Sequence, residues 1–317
     1  MKKFLTLFLS ILLVFSLTGC NKTYIKVESF YWQTQSGYDN TYYEELVYDV
    51  TCVNKTISNS TEVSSDQLEL VVNEGSTYTI ISKSAVDKGG DVICVETKLS
   101  IDGKYIDKAN DNTVLAFVDE ISSICYFTAT NFKPIYSSKT VKANSISFQV
   151  DKYKLLPYEY EYEVTYEGEN AKVEFNEIKD EYQIIDVDDV KTYKGATKNA
   201  YLDNEMMLFA PRGYSLLNEN TTSIYFDSLD VISQTTREMY FTTITNSDGK
   251  KTPVTINCLN QEIETVKVMF YLTGQFTGSP IECYYATKTQ DRNRLIRCYT
   301  TMYGDLGYLQ YTLKEIK

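Results

Sequence analysis

The sequence predicts a mainly β fold: a strongly curved antiparallel sheet, a half-barrel, with one short helix. Three observations predict it. Apolar and polar residues alternate with period two in segment after segment from Glu44 onward. Turn-forming clusters separate these segments at hairpin spacing. The chain carries 28 Tyr, against 14 Phe and one Trp, and tyrosine suits half-buried pleated surfaces.

The elements follow in order. Met1 to Gly19 has Lys2 and Lys3 ahead of an apolar run from Phe4 to Leu17. A positive start, a short apolar stretch and small residues before a cut describe a signal peptide. Thr6, Ser10 and Ser16 interrupt the run, which is too short for a spanning helix. It ends on Leu17-Thr18-Gly19-Cys20, which resembles the lipobox of bacterial lipoproteins. The resemblance implies cleavage before Cys20 and diacylglycerol on its sulfur, so Cys20 is the lipidation site. Residues 20–43 are polar and aperiodic apart from Phe30, Tyr31 and Trp32; they are expected to form a tether between membrane and domain.

Residues 44–317 form the β domain. Strands are expected at Glu45–Val53, Tyr78–Lys83, Val92–Ser100, Thr113–Val118, Ile124–Thr130, Ile135–Val141 and Ser145–Val150. Lys88-Gly89-Gly90-Asp91, Asp102-Gly103 and Asn131-Phe132-Lys133-Pro134 mark turns between them. The clearest hairpin is Tyr158–Ile178. Tyr158, Tyr160, Tyr162, Val164 and Tyr166 alternate with acids and Thr165, and Ala171, Val173 and Phe175 return on the partner strand. A two-residue turn at Gly168-Glu169 suits type II′. It pairs Tyr166 with Ala171, Val164 with Val173 and Tyr162 with Phe175, leaving the acids wet. Asp180 to Lys198 has weak periodicity and an acidic cluster, Asp186, Asp188 and Asp189. It is expected to be a solvated seam between subdomains at 179–200, without the spacing of a calcium loop, so no metal is expected.

Asp203–Ala210 is the expected helix. Asp203 caps it, Glu205 favours its dipole, and Pro211 and Gly213 end it. Met206 and Phe209 lie near one face, plugging the sheet's end or bordering a cavity. Further strands follow at Ser223–Phe226, Met239–Thr245, Pro253–Leu259, Glu264–Leu272, Ile281–Lys288, Arg294–Tyr303 and Tyr308–Leu313, with turns at Asp248-Gly249, Gly274 to Pro280 and Gly304 to Gly307.

Composition excludes much. The net charge is −12, and losing Lys2 and Lys3 with the leader makes it two units more negative. Such a surface repels phosphate backbones, so no nucleic-acid partner is expected. The chain has no histidine, which removes Ser-His-Asp triads, Cys-His dyads and His-bound zinc. No cofactor is expected. The cysteines beyond Cys20 are Cys52, Cys94, Cys125, Cys258, Cys283 and Cys298, none in C-x-x-C spacing. They suit either buried thiols or disulfides. Cys283 and Cys298 are the candidate bridge: they fall opposite if the turn centres on Gln290-Asp291, and on a diagonal if it centres one residue later.

The stretches Leu46-Val47-Tyr48-Asp49-Val50, Asp203 to Ala210, Thr252-Pro253-Val254-Thr255-Ile256, Thr273-Gly274, Gly278 to Cys283 and Arg294-Leu295-Ile296-Arg297 resemble, in their order, a family of bacterial extracytoplasmic proteins. That family is a domain of unknown function related to the LolA/LolB lipoprotein-carrier fold. The resemblance implies a half-open barrel with a helix on its concave side, and it brings no catalytic residues.

The function expected is that of a non-enzymatic lipoprotein on the extracytoplasmic face of a bacterial membrane. It would bind a hydrophobic or amphipathic ligand, or an envelope-protein partner. Met206, Phe209, Tyr160 and Tyr162 are the candidate ligand-binding residues. The alternatives are a carbohydrate- or cell-wall-binding module using exposed tyrosines and Trp32, a purely structural envelope protein, and a hydrolase built on two carboxylates.

Overall fold

The computed structural model describes residues 23–24, 39–54, 68–88, 91–149, 152–213, 223–244, 253–273, 281–288, 291–301 and 307–317. The leader with Cys20, Trp32, and the turns at 248–249, 274–280 and 304–306 lie outside the described residues, as do Gly89, Gly90 and Gln290.

Among the described residues, seventeen strands form one sheet. They are β1 Thr23–Tyr24, β2 Tyr43–Asn54, β3 Leu68–Val72, β4 Thr77–Ser84, β5 Val92–Asp107, β6 Thr113–Thr128, β7 Pro134–Gln149, β8 Lys152–Glu167, β9 Asn170–Lys179, β10 Val190–Tyr193, β11 Ile224–Asp230, β12 Thr235–Thr243, β13 Val254–Cys258, β14 Gln261–Leu272, β15 Ile281–Ala286, β16 Leu295–Thr301 and β17 Gly307–Ile316. The expected antiparallel architecture is present: every pairing is antiparallel except β1 on β11. The last strand, β17, pairs with β2, so the two halves of the chain join at their outer ends. β3 and β4 share β5, and β12 and β13 share β14. The sheet is not closed. Its ends are β10 and the two-residue β1, which lies on β11, and the chain that follows β10 reaches β11 through a parallel contact of Tyr201 with Asp227.

The strands are longer than their sequence signals. Val92–Ser100 runs on to Asp107; the two segments expected between Thr113 and Thr130 are one strand ending at Thr128, and the two expected from Ile135 onward are one strand ending at Gln149. Asp102-Gly103 is therefore not a turn. Gly103 pairs with Val72 inside the sheet. A Cβ there would lie 2.8 Å from Phe117 Cζ and 3.0 Å from the Val71 carbonyl, so the glycine is required by close packing. Thr23–Tyr24, in the expected tether, pairs with β11.

The Tyr158–Ile178 hairpin has the expected register at Tyr166–Ala171, Thr165–Lys172, Val164–Val173 and Tyr162–Phe175, with a bulge beyond it at Glu161/Tyr162. Gly168 has φ +61, as the first central residue of a II′ turn requires. The 180–198 stretch holds β10, which pairs with β9 and extends the sheet. A second, smaller apolar cluster gathers here, with Tyr162, Val173, Phe175, Tyr193, Leu229 and Val231, apart from the main core.

The expected helix is not α-helical. Asn204–Met206 and Ala210–Gly213 are two 3-10 turns joined by Met207 to Phe209. Hydrogen bonds run i to i−3 from Met206 to Asp203, Met207 to Asn204, Phe209 to Met206 and Arg212 to Phe209. The segment is too short to stabilise an α-helical nucleus, and Pro211 lacks a donor. Three residues per turn also place Met206, Phe209 and Arg212 on one inward side, where all three are buried. Phe209 packs on Phe127 and Phe132, with ring centroids 5.7 and 6.3 Å away. The segment is a plug across the concave face.

Candidate functional site

Two adjacent rungs of the sheet build the site. One runs Tyr48, Tyr78, Leu99, Ile121, Val141, Tyr160 and Ile178 across β2, β4, β5, β6, β7, β8 and β9; the next runs Leu46, Ile80, Thr97, Ser123, Lys139, Tyr162 and Phe175. All point to the concave side because side chains two apart share a face. Where these rungs meet the plug lies a cavity of about 320 Å³. Tyr78, Tyr160, Tyr162, Met207, Leu208 and Ile281 give it apolar surface, and Lys139, Asn204, Glu205, Asp230, Arg237 and Thr300 give it polar groups.

Tyr158, Tyr160 and Tyr162 stack along β8, with centroids 6.1 and 6.2 Å apart and planes within 9° and 14°. Burial, with Glu205 and Asp230 nearby, pushes the Tyr160 phenol up to about 12. Burial holds Tyr78 and Tyr162 well above the ordinary phenol value. This wall therefore stays neutral at physiological pH, with apolar faces and hydroxyl tips.

The lip is charged and paired. Lys139 Nζ lies 2.9 Å from Glu205. Arg237 donates to Asn204 Oδ1 at 3.1 Å and reaches Asp230 at 3.4 Å. Asn204 is itself fixed by donating to the Leu229 carbonyl and accepting from Ser228 Oγ. Asp203 turns the other way. It accepts from the Glu205 amide at 2.8 Å, as an N-cap, from Ser137 Oγ at 2.7 Å and from the Tyr166 hydroxyl. Burial, then the Glu205 charge, raises its carboxyl above the ordinary value against those hydrogen bonds.

The plug is fastened at its far end. Glu44 meets Arg212 at 2.7 Å and Arg294 at 2.6 Å, with Glu44 and Arg212 each 2 % exposed. Arg212 also lies over the Phe209 ring, 5.1 Å from its centroid, and Asn293 donates to its carbonyl. Burial opposes the Glu44 charge, but the two guanidiniums outweigh it and hold the carboxyl below its usual value.

Of the sequence candidates, Tyr160 and Tyr162 line the cavity. Met206 and Phe209 do not: the three-residue repeat turns them into the core and leaves Met207 and Leu208 facing the cavity. Cys283 and Cys298 are directly paired across β15 and β16, with Sγ atoms 3.4 Å apart and both present as thiols. Lys139 was not singled out from sequence, although Ser137, Lys139 and Val141 share the inward face of β7. A charge at an inward position is the signal that could have found it.

Two other surfaces differ in kind. A groove of about 340 Å³ on the opposite face of β4 to β7 is lined by hydroxyl side chains with Ile81, Ile124, Glu96 and Lys98, without an aromatic. On the outer wall, Tyr225, Tyr240 and Tyr271 form a row with centroids 5.1 Å apart at each step. Tyr240 is covered on both sides by its neighbours, whereas sugar stacking needs an open ring face. Among the described residues no group of three or more Cys, Asp or Glu could hold a metal, and no helix is long and apolar enough to cross a membrane.

No protein-family model and no curated protein matches the chain. Among solved structures it is similar to a β-barrel-like protein of domain of unknown function DUF1849 from Brucella abortus. The match has 10% identity and a TM-score of 0.50, and covers 88% of this chain and 98% of that one. At that identity the likeness concerns the fold alone.

Proposed function

We propose that the chain is a lipid-anchored extracytoplasmic binding protein, without catalysis of its own, whose barrel mouth takes one small amphipathic molecule. The observation that carries this is the cavity beside the plug: a neutral tyrosine wall on one side and the Lys139, Glu205, Asp230 and Arg237 lip on the other. An apolar wall with a few convergent polar groups is the usual make-up of a ligand site. Its volume lies near the lower end of the usual range, ~300–1,000 Å³, so it suits one short chain and its head group better than a diacyl lipid. About half the lining is polar, so of the two ligand classes expected from sequence, hydrophobic and amphipathic, the amphipathic one fits.

The leader, with Lys2, Lys3 and Leu17-Thr18-Gly19-Cys20, supports the anchor, and the concave plug agrees with the family resemblance to LolA/LolB-like carriers. Absence of histidine supports the non-enzymatic reading. So does the engagement of both mouth acids: Glu205 by Lys139 and Asp230 by Arg237. A free carboxylate pair is the minimum for glycoside cleavage.

Native mass spectrometry with dodecanoate and a lysophospholipid tests the site. One adduct per chain is expected, with Tyr160→Ala weakening it by about tenfold, the loss of one aromatic contact worth ~1.4 kcal/mol. No adduct with either probe, or an adduct indifferent to Tyr160, would overturn the assignment. For the anchor, labelled palmitate should enter the wild type and not Cys20→Ala.

A further inference from the structure

We infer that Cys283 and Cys298 form a cross-strand disulfide that staples the wall of the mouth. Of the six described cysteines, these two alone face each other in register: Glu282 pairs with Tyr299, Cys283 with Cys298 and Tyr284 with Arg297. Their sulfurs are 3.4 Å apart. Directly opposed residues on antiparallel strands have Cα separations within the range a bridge needs. Cys94 and Cys125, by contrast, stand on adjacent strands with partners Tyr126 and Val95, so they are out of register.

The place of the pair gives the bridge a purpose. The β15–β16 hairpin turns between Ala286 and Leu295, and Cys283–Cys298 lies toward its open end, away from the turn. The next inward positions outward from the bridge are Ile281 and Thr300, and both line the cavity. Tyr285, two residues on the other way, donates to the Leu208 carbonyl of the plug at 2.8 Å. The bridge therefore sits between the cavity wall and the plug's tether.

Both thiols are at most 1 % exposed in the folded chain, so the bond forms before the sheet closes over it. A thiolate from one cysteine attacks a sulfur of a low-molecular-weight or protein disulfide, giving a mixed disulfide and expelling one thiolate. The second cysteine thiolate attacks the cysteine sulfur of the mixed disulfide and expels the other. Two electrons pass to the oxidant, which leaves as two thiols carrying the two protons. The pairing rests on geometry alone; its occurrence in cells rests also on the extracytoplasmic location proposed above.

The test has two arms. In the first, the full chain is extracted from the envelope with free thiols trapped by iodoacetamide, then digested. In the second, reduced chain unfolded in urea is returned to buffer with oxidised and reduced glutathione, then trapped and digested in the same way. The expected result in both is one linked peptide pair, Cys283 with Cys298, with Cys52, Cys94, Cys125 and Cys258 alkylated. Cys283→Ala should abolish it without moving Cys298 to a new partner, and reduction should lower Tm by about 5 °C. A native refolded chain with both cysteines alkylated, or a bridge elsewhere, overturns the pairing. A linked pair on refolding with free thiols from the envelope overturns the location and leaves the pairing standing. Should the chain not refold, the envelope arm decides.

Discussion

Glu44→Gln should be among the most damaging single changes in this protein, and its effect should reach the mouth. Among the described residues, Glu44 is the acid that pairs with both Arg212 and Arg294. Removing its charge leaves the Arg212 guanidinium, 2 % exposed, buried without a counter-ion. Breaking a buried pair from one side costs ~3–5 kcal/mol; Gln still accepts one hydrogen bond, so the low end applies, ~3 kcal/mol. With a urea slope of ~3 kcal/mol/M for a chain this long, the midpoint should fall by about 1 M. Arg294→Gln should cost less, because Arg294 is 14 % exposed and its loss leaves Glu44 still paired. The triple Glu44→Met, Arg212→Met, Arg294→Met removes all three charges and should recover most of the loss. Arg212 ends the plug, so hydrogen exchange at residues 204–213 should quicken in Glu44→Gln more than in β5 or β6. The pH sign follows from the same contact. Glu44 sits below its unfolded value, so its stabilisation is present above that value and lost as pH falls through the folded one. A midpoint shift under about 0.3 M, or a triple variant no more stable than Glu44→Gln, would refute the reasoning.

Gly103→Ala should destabilise by ~1–3 kcal/mol, read as a fall in Tm. Phe117 cannot retreat easily, since its ring stacks on Tyr105 with centroids 5.0 Å apart; an unchanged Tm would show that the sheet yields there. Asp203→Asn should flatten part of the pH dependence of stability. The Asp203 carboxyl lies above its unfolded value, so the wild type gains stability from this group as pH falls through its folded pKa and loses it as pH rises. The gap between variant and wild type in urea midpoint should therefore be widest at neutral pH and narrow on acidification; a gap that grows toward acid would reverse the assignment.

Local pairing was legible in the sequence and long-range convergence was not. The Tyr158–Ile178 register could be written down because turn and alternation agree there: Gly168 supplies the φ, and every inward rung is apolar. Asp102-Gly103 misled because one glycine answers two demands, a turn and a close approach, and only the position of Phe117 and Val71 decides between them. The helix misled for a related reason. Met206 and Phe209 are three apart, a spacing common to α and 3-10 geometry, and the choice fell to the buried Arg212 that continues the same side. Leu68–Val72 was missed as a strand because Leu68-Glu69-Leu70-Val71-Val72 is a brief signal, fixed by its partner β5. The cavity was legible only in part: Tyr160, Tyr162 and the 203–210 segment marked its place, but Tyr78, Lys139, Arg237 and Thr300 join it from four separate strands.

The mouth exists because this sheet does not close. A sheet of seventeen strands with two free ends must cover them or risk pairing with another chain. Full closure would have removed both edges but left an open lumen, since a barrel of this many strands is too wide for side chains to fill. Instead the segment between β10 and β11 crosses the gap, pairs with Asp227 through the backbone of Ala200 and Leu202 on either side of Tyr201, and then enters the concave face as the plug. It covers the opening with backbone and side chains that strands alone could not supply. Asn204 and Glu205 meet Arg237 and Lys139 there, Met207 and Leu208 complete the wall, and Arg212 locks into Glu44 behind. The charged lip is thus a by-product of satisfying the plug's own polar groups at a sheet end. A ligand that enters competes with those contacts, so its affinity should depend on how firmly the plug is held. Loosening the clasp at Glu44 should alter binding at Tyr160 although the two residues share no contact. Titrating dodecanoate into Glu44→Gln beside Tyr160→Ala and the double variant measures that coupling directly; strictly additive effects would mean the plug and the site are independent.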